Sequence, residues 1–349
     1  MNPYILSTFL MALGLGTTIT FASSHWLLAW LGLEINTLAI LPLMARHHHP
    51  RSVEASTKYF LAQATAAATL LFASTTNAWL TGHWGICDTT HPLPTTLVVL
   101  ALCLKMGLAP MHAWLPEVLQ GIDLYTGLVL STWQKLAPFA LMLQVQTPST
   151  STPLLLVGAL SILVGGWGGL NQTQLRKLLA YSSIAHLGWM VLIMQFSSGL
   201  SLIGLVLYLT MTFPLFIAFK TNNATSINQL AVSWTKSPSL TALTPLLLLS
   251  LGGLPPLAGF MPKWLILTEL TKQGLVAIAT LAAFSALLSL YFYLRLSYAV
   301  ALTIPPNNTS GTLGWRLFLP CTPLPLAFSA ALSLTLLPLT PGITALLIT

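Results

Sequence analysis

Leu102-Cys-Leu-Lys105-Met-Gly-Leu-Ala-Pro110-Met-His112-Ala-Trp114-Leu-Pro116-Glu117 sets a lysine, a histidine and two prolines inside a run apolar enough to cross a membrane. A charge at bilayer depth costs about 2.5–3.5 kcal/mol on insertion scales, so such groups mark functional positions. A proline at that depth breaks the backbone ladder, which is tolerated only where protein or a hydrated cavity meets the freed groups. The stretch therefore reads as a broken membrane helix lining an ion path.

The rest of the chain agrees. Of 349 residues only 5% are charged and 55% are hydrophobic, with a mean hydropathy of +0.81. Soluble domains carry about 25% charged residues. Apolar runs of membrane-spanning length recur throughout, without the ten-residue alternation of a β-barrel. The predicted class is an all-α polytopic membrane protein of about 11 helices, over 3–21, 25–45, 57–78, 95–116, 124–146, 153–170, 178–196, 199–219, 240–268, 274–300 and 322–346. Residues 1–349 form one membrane domain, with no soluble domain or long linker and no cleavable targeting segment.

Loop charges support this count. Arg46, Arg51, Lys58, Arg176, Lys177, Lys220, Lys236, Arg295 and Arg316 gather on one side, and the other holds little beyond Lys272. The positive-inside rule then places the N-terminus on the positive side. The ninth segment carries a second break, Leu251-Gly-Gly-Leu-Pro255-Pro256-Leu-Ala-Gly259-Phe-Met-Pro262-Lys263. Five segments separate it from the first, and an odd interval implies inverted repeats. These are 3–146 (helices 1–5) and 153–300 (helices 6–10), each with one discontinuous helix, and 322–346 is a final helix.

The candidate site residues are Glu34, Lys105, His112, Lys135, His186 and Lys263. Glu34 sits near the middle of the second segment and reads as a proton-binding carboxylate, the alternative being a structural ion pair with a neighbouring lysine. A buried lysine near a carboxylate can take up and release a proton, which is the role expected of Lys105. His112 would share its face if the helix resumes after Pro110; a packing role is the alternative. Lys135 lies mid-segment beside Pro138. Lys263 follows the second break, where snorkelling is an alternative, and His186 is central in the seventh segment, as relay or packing residue.

Other motifs carry less. Arg46-His47-His48-His49-Pro50 reads as a solvated loop rather than a metal site. Cys87, Cys103 and Cys321 are scattered, against Fe–S, zinc or disulfide chemistry. Neither a dinucleotide fingerprint nor a P-loop is present, and the charge points to membrane orientation rather than nucleic acid. The Gly165-Gly-Trp-Gly-Gly169 run suits close helix approach. The sequon Asn307-Asn-Thr309 falls on the positive side, where glycosylation is not expected.

Lys105-x-Gly-x-x-Pro110-x-His112-x-Trp114-Leu115-Pro116 resembles the signature of the antiporter-like membrane subunits of respiratory complex I, which are similar to components of multi-subunit cation/proton antiporters. Leu33-Glu-Ile-Asn-Thr37, Ala180-Tyr-Ser-Ser-Ile-Ala-His-Leu-Gly188 and Gly253-Leu-Pro-Pro-Leu-Ala-Gly-Phe260 extend the likeness along the chain. The resemblance implies an animal form of eleven helices, lacking three of the bacterial fourteen. It implies proton translocation from matrix to intermembrane space, coupled to NADH-to-ubiquinone electron transfer in other subunits.

Glu34 and Lys105 would match the paired carboxylate and lysine, Lys135 the connecting lysine and Lys263 the lysine of the second repeat. It further implies a mitochondrial inner-membrane protein with its N-terminus in the matrix, beside chains 4 and 4L, the lateral helix of chain 5 and membrane lipids. NADH, FMN, Fe–S clusters and ubiquinone would serve the whole complex, leaving no cofactor or metal in this chain. A sodium or potassium/proton antiporter subunit, or a scaffold whose buried pairs only join helices, are the competing readings.

Overall fold

Broken and unbroken helices both occur along the chain, for local reasons. The structure, a computed structural model, describes residues 2–46, 49–89, 91–235, 237–303 and 323–348. Lys236, Arg316, Cys321, the Asn307–Thr309 sequon, His47 and His48 lie outside them. The described residues are helical with no sheet, and divide into two compact units, Met1–Leu160 and Ser161–Thr349.

The first unit holds α1 (Pro3–Ala22), α2 (Trp26–Met44), α3 (Pro50–Thr81), α4 (Pro92–Met106), α5 (Trp114–Gly121), α6 (Leu124–Ser131) and α7 (Trp133–Gln144), and α8 (Ser151–Gly169) begins in it. Starts follow capping chemistry: Asn2 Oδ1 accepts from the Tyr4 amide at 3.2 Å ahead of Pro3, and His49 Nδ1 accepts from the Arg51 amide at 3.3 Å beside Pro50. Proline at the first helical position loses only an amide that has no partner there. Helix α3 packs on α2, α4 and α5, while α7 packs on α1, α2 and α4.

The second unit continues with α9 (Leu175–Ile193), α10 (Ser198–Thr221), α11 (Ile227–Ala231), α12 (Pro238–Gly252), α13 (Phe260–Lys272), α14 (Val276–Ala301), α15 (Pro323–Thr335) and α16 (Thr340–Ile348). Helix α10 is its hub, touching α9, α12, α13, α15 and α16. The glycine run of α8 works as close-packing surface: a methyl at Gly165 would stand 2.6 Å from the Ala185 nitrogen, and one at Gly169 would meet the Phe292 ring. Trp167, between them, points outward at 75% exposure.

Among the described residues α1, α2, α8, α10 and α14 are each long and apolar enough to cross a membrane, and α15 with α16, bent by 65°, adds a sixth candidate. The other expected segments fall on α3, on α9, and on the pairs α4/α5, α6/α7 and α12/α13. The α6/α7 break is a difference from the sequence expectation, which runs 124–146 as one helix. At Thr132 (φ −112°, ψ −70°) the backbone leaves helical geometry, and Thr132 Oγ1 bonds Leu128 O at 2.6 Å. A hydroxyl that competes for an intrahelical carbonyl, with Pro138 removing the next turn's donor, bends a helix.

Arg295 stands in α14, within the expected 274–300 segment, and donates Nη1 to Leu170 O at 2.7 Å and Nη2 to Gln172 O, covering the carbonyl end of α8.

The expected breaks at Gly107 and Gly253 are both present and built alike. Each glycine takes a left-handed backbone (φ 75° and 80°). Each closes its helix with the same pair of bonds: Gly107 N to Leu104 O and Leu108 N to Cys103 O, then Gly253 N to Ser250 O and Leu254 N to Leu249 O. This is the Schellman pattern, in which a residue without Cβ avoids a cost of roughly 1–2 kcal/mol. Replacing Gly107 or Gly253 by alanine is expected to lower the thermal stability of the assembled protein by about that amount. Gly14→Ala, at a helical position with nothing within 4 Å, should not; melting of the purified variants compares them.

Candidate functional site

Lys105 occupies the last turn of α4 and is 6% exposed. Its ammonium Nζ is buried without a hydrogen-bond partner among the described residues. It lines a small cavity of about 10 Å³ together with Asn36, Tyr59, Gln63, Trp114, Gln134 and Lys135. That volume is at the threshold for one water molecule. Lys135, on the first turn of α7, is 3% exposed. The structure thus brings Lys105 and Lys135 to one polar pocket in the first unit.

The walls of that pocket are tied to the helix break. Trp114 Nε1, at the start of α5, donates to Leu104 O at 3.1 Å, so the resumed helix caps a carbonyl near the end of the interrupted one. Tyr59 meets the Trp114 ring edge-on at 5.7 Å. Gln63 Nε2 bonds the Lys105 carbonyl at 3.3 Å, and Gln134 Nε2 bonds Asn36 O at 3.3 Å. None of these side chains is singled out by its sequence context; only the Trp114 spacing to the break was available as a signal.

Glu34 is half-buried on α2, where Thr37 Oγ1 donates to its Oε2 at 3.0 Å. It does not line the cavity. Its charge acts on Lys105 and Tyr59 through space, with no ion pair to Lys105 within 4.0 Å among the described residues. His112 lies in the connection between α4 and α5, its Nδ1 3.3 Å from Pro110 O. The helix resumes only at Trp114, so a seven-residue spacing does not place His112 on the face of Lys105.

In the second unit Lys263 and His186 line a cavity of about 10 Å³ with Trp189, Met190 and Met211. Both are buried, at 9% and 8% exposure. Lys263 Nζ donates to Gly252 O at 2.6 Å, closing the carbonyl end of α12 across the second break. His186 tilts against Tyr208 with ring centres 5.7 Å apart. Among the described residues no group of three His, Cys, Asp or Glu side chains is placed to hold a metal ion, and Cys87 and Cys103 are unpaired.

Residues 23–289 match the family model described as NADH:quinone oxidoreductase/Mrp antiporter, transmembrane, and residues 290–344 match NADH dehydrogenase subunit 2 C-terminus. The chain belongs to this antiporter-like family. It is 68% identical over 347 residues to NADH-ubiquinone oxidoreductase chain 2 of Oncorhynchus mykiss and 69% identical over 346 residues to that of Tetraodon nigroviridis, covering 99% of itself and 99% of each relative. A chain in respiratory complex I from Thermus thermophilus with bound aureothin superposes with a TM-score of 0.86 at 31% identity, over 98% of this chain and 79% of that one. A chain of the Mrp complex from Dietzia sp. shares the fold, with a TM-score of 0.82 at 19% identity over 97% and 75%. The antiporter-like family thus accounts for the fold around both cavities.

Trp114→Phe keeps the ring and deletes the donor, leaving Leu104 O with the Gly107 amide as its bond. The expected cost is about 0.5–1.5 kcal/mol of stability, the net worth of one hydrogen bond. Trp133→Phe, whose Nε1 bond to Leu13 O is longer at 3.4 Å, should cost less; thermal denaturation of the two variants decides the order.

Proposed function

We propose that this chain is a proton-translocating, antiporter-like membrane subunit of NADH:ubiquinone oxidoreductase, driven by electron transfer carried out in other subunits. The observation that carries the reading is Lys105: an ammonium with no hydrogen-bond partner among the described residues, in a water-sized cavity shared with Lys135. Deep in apolar protein such a group is costly unless it is used, and two lysines on one cavity can exchange a proton through a single water. The family and the near-full-length likeness to chain 2 relatives supply the coupling partner.

In this reading Glu34 modulates Lys105 at a distance. A carboxylate that approaches a lysine favours its charged form, and one that withdraws favours proton release. Lys135 takes the charge from Lys105, and Lys263 with His186 serves as the carrier of the second unit. His112 stands at the break and relays by motion of its loop. Gly252 O gives the Lys263 ammonium a fixed acceptor of partial negative charge at a helix end, which holds the charge in place between transfers.

The finer architecture we propose is eleven membrane crossings, with residues 3–146 and 153–300 as inverted repeats and 322–346 as a last helix. The matching closure of the breaks at Gly107 and Gly253 supports that pairing. The protein is multi-pass. We place it in the mitochondrial inner membrane with its N-terminus on the matrix side, the side of Arg46, Arg51, Arg176 and Lys177. Its neighbours would be the other antiporter-like chains, chain 4 and chain 4L, and the lateral helix of chain 5. NADH, FMN, Fe–S clusters and ubiquinone act elsewhere in the complex.

Lys105→Met in the assembled complex should remove the proton pumping contributed by this subunit while electron transfer and assembly persist. Proton uptake per NADH oxidised, in sealed vesicles with choline in place of sodium, checks it. An unchanged ratio in the variant refutes the role of Lys105, and a requirement for sodium refutes a proton carrier.

A further inference from the structure

Lys58, on α3, bonds two carboxylates at once: Glu54 Oε1 at 2.8 Å, one turn away, and Glu117 Oε2 at 2.7 Å, 59 residues further along the chain. The first bond is an ordinary helical i,i+4 pair. The second joins α3 to α5, the half-helix that resumes after the first break. All three side chains are substantially exposed; Lys58 and Glu117 are 43% and 54% exposed. A bond of this kind adds little to global stability.

Its place in the fold gives it a different use. Helix α5 is eight residues long, too short to be stable by itself; it buries Leu115, Val118 and Leu119, and three further contacts set its position along α3 and α4. At its start Trp114 caps Leu104 O. At its end Gly121 lies so close to α3 that a methyl there would stand 2.6 Å from Arg51 O. Between them Glu117 meets Lys58. One turn along α5 separates Glu117 from Trp114, and on α3 Lys58 is followed by Tyr59, which touches Trp114, and by Gln63, which bonds the Lys105 carbonyl. The ion pair, the aromatic pair and the amide bond are successive layers of one interface, with the Lys105 cavity beneath them.

We propose that Glu117, held by Lys58, is a positioning residue for Lys105. The pair sets the position of α5 on α3, and through Trp114 it fixes the wall of the cavity and the capped carbonyl one residue before the lysine. It touches neither the cavity nor the proton. The proposal rests on Lys105 being a proton carrier, as argued above.

The test uses assembled complex with four variant chains, measuring proton uptake per NADH oxidised and the amount of complex on native gels. Glu117→Gln and Lys58→Met should each lower proton yield by about two- to fivefold, the size one exposed ion pair can supply, with normal assembly. The double variant should fall no further than Lys58→Met alone, because that single already removes the Lys58–Glu117 bond together with the Glu54 pair. Lys58→Arg, which keeps charge and reach, should restore the yield. Normal yield in Glu117→Gln, losses that multiply in the double variant, or failed assembly of Glu117→Gln overturns the proposal, the last by making the pair a folding element. Lys105→Met run alongside separates the two ideas. If it too pumps normally the carrier assignment fails; if it alone is impaired, only the positioning role falls.

Discussion

A carbonyl freed inside an apolar layer must find a donor, and the chain has two such ends to satisfy. Helices α4 and α12 stop at left-handed glycines, and the last carbonyls of each have no following turn to accept from. Hydrocarbon offers no donor, so each unmet group would cost as much as a lost hydrogen bond or more. The protein closes both ends in the same two steps: a pair of backbone bonds around the glycine, then a side chain reaching back from the resumed helix. In the first unit that side chain is Trp114 on Leu104 O; in the second it is Lys263 on Gly252 O. Both cavities sit beside these closures, where the backbone leaves room next to polar groups.

That constraint also explains how the two units divide their chemistry. The first uses an indole donor for the helix end, and the Lys105 ammonium, without a hydrogen-bond partner among the described residues, lines the cavity with Lys135. The second uses Lys263 itself as the donor, and His186 lines the cavity beside it. Placing α5 correctly therefore matters more in the first unit, where Trp114 is both cap and cavity wall.

Much of this was legible from composition and breakers. The all-helical membrane class, both broken helices and the burial of Lys105, Lys135, Lys263 and His186 follow from apolar length interrupted by charge, glycine and proline. What escaped was of two kinds, local backbone competition and contacts between neighbours distant in sequence. The break at Thr132 is set by a hydroxyl bonding back to Leu128 O, a local competition that hydropathy does not register. His112 lost its expected helical face because α5 starts four residues after Pro110. Arg295 reads as a charge at the end of its segment, and the carbonyls it bonds lie 123 and 125 residues away. Gln63, Tyr59 and the Lys58–Glu117 pair gain meaning only once α3 is seen against α5, and no periodicity of either helix announces that contact.

The bond from Lys263 to Gly252 O has one more consequence. An ammonium and a neutral amine both carry N–H groups, so this side chain can give up its proton and still donate to the same carbonyl. A carboxylate in its place could donate only while protonated and would release the helix end on every cycle. In the proposed carrier role, lysine would let the charge of the site change while its latch stays shut, and α12 need not move with each transfer.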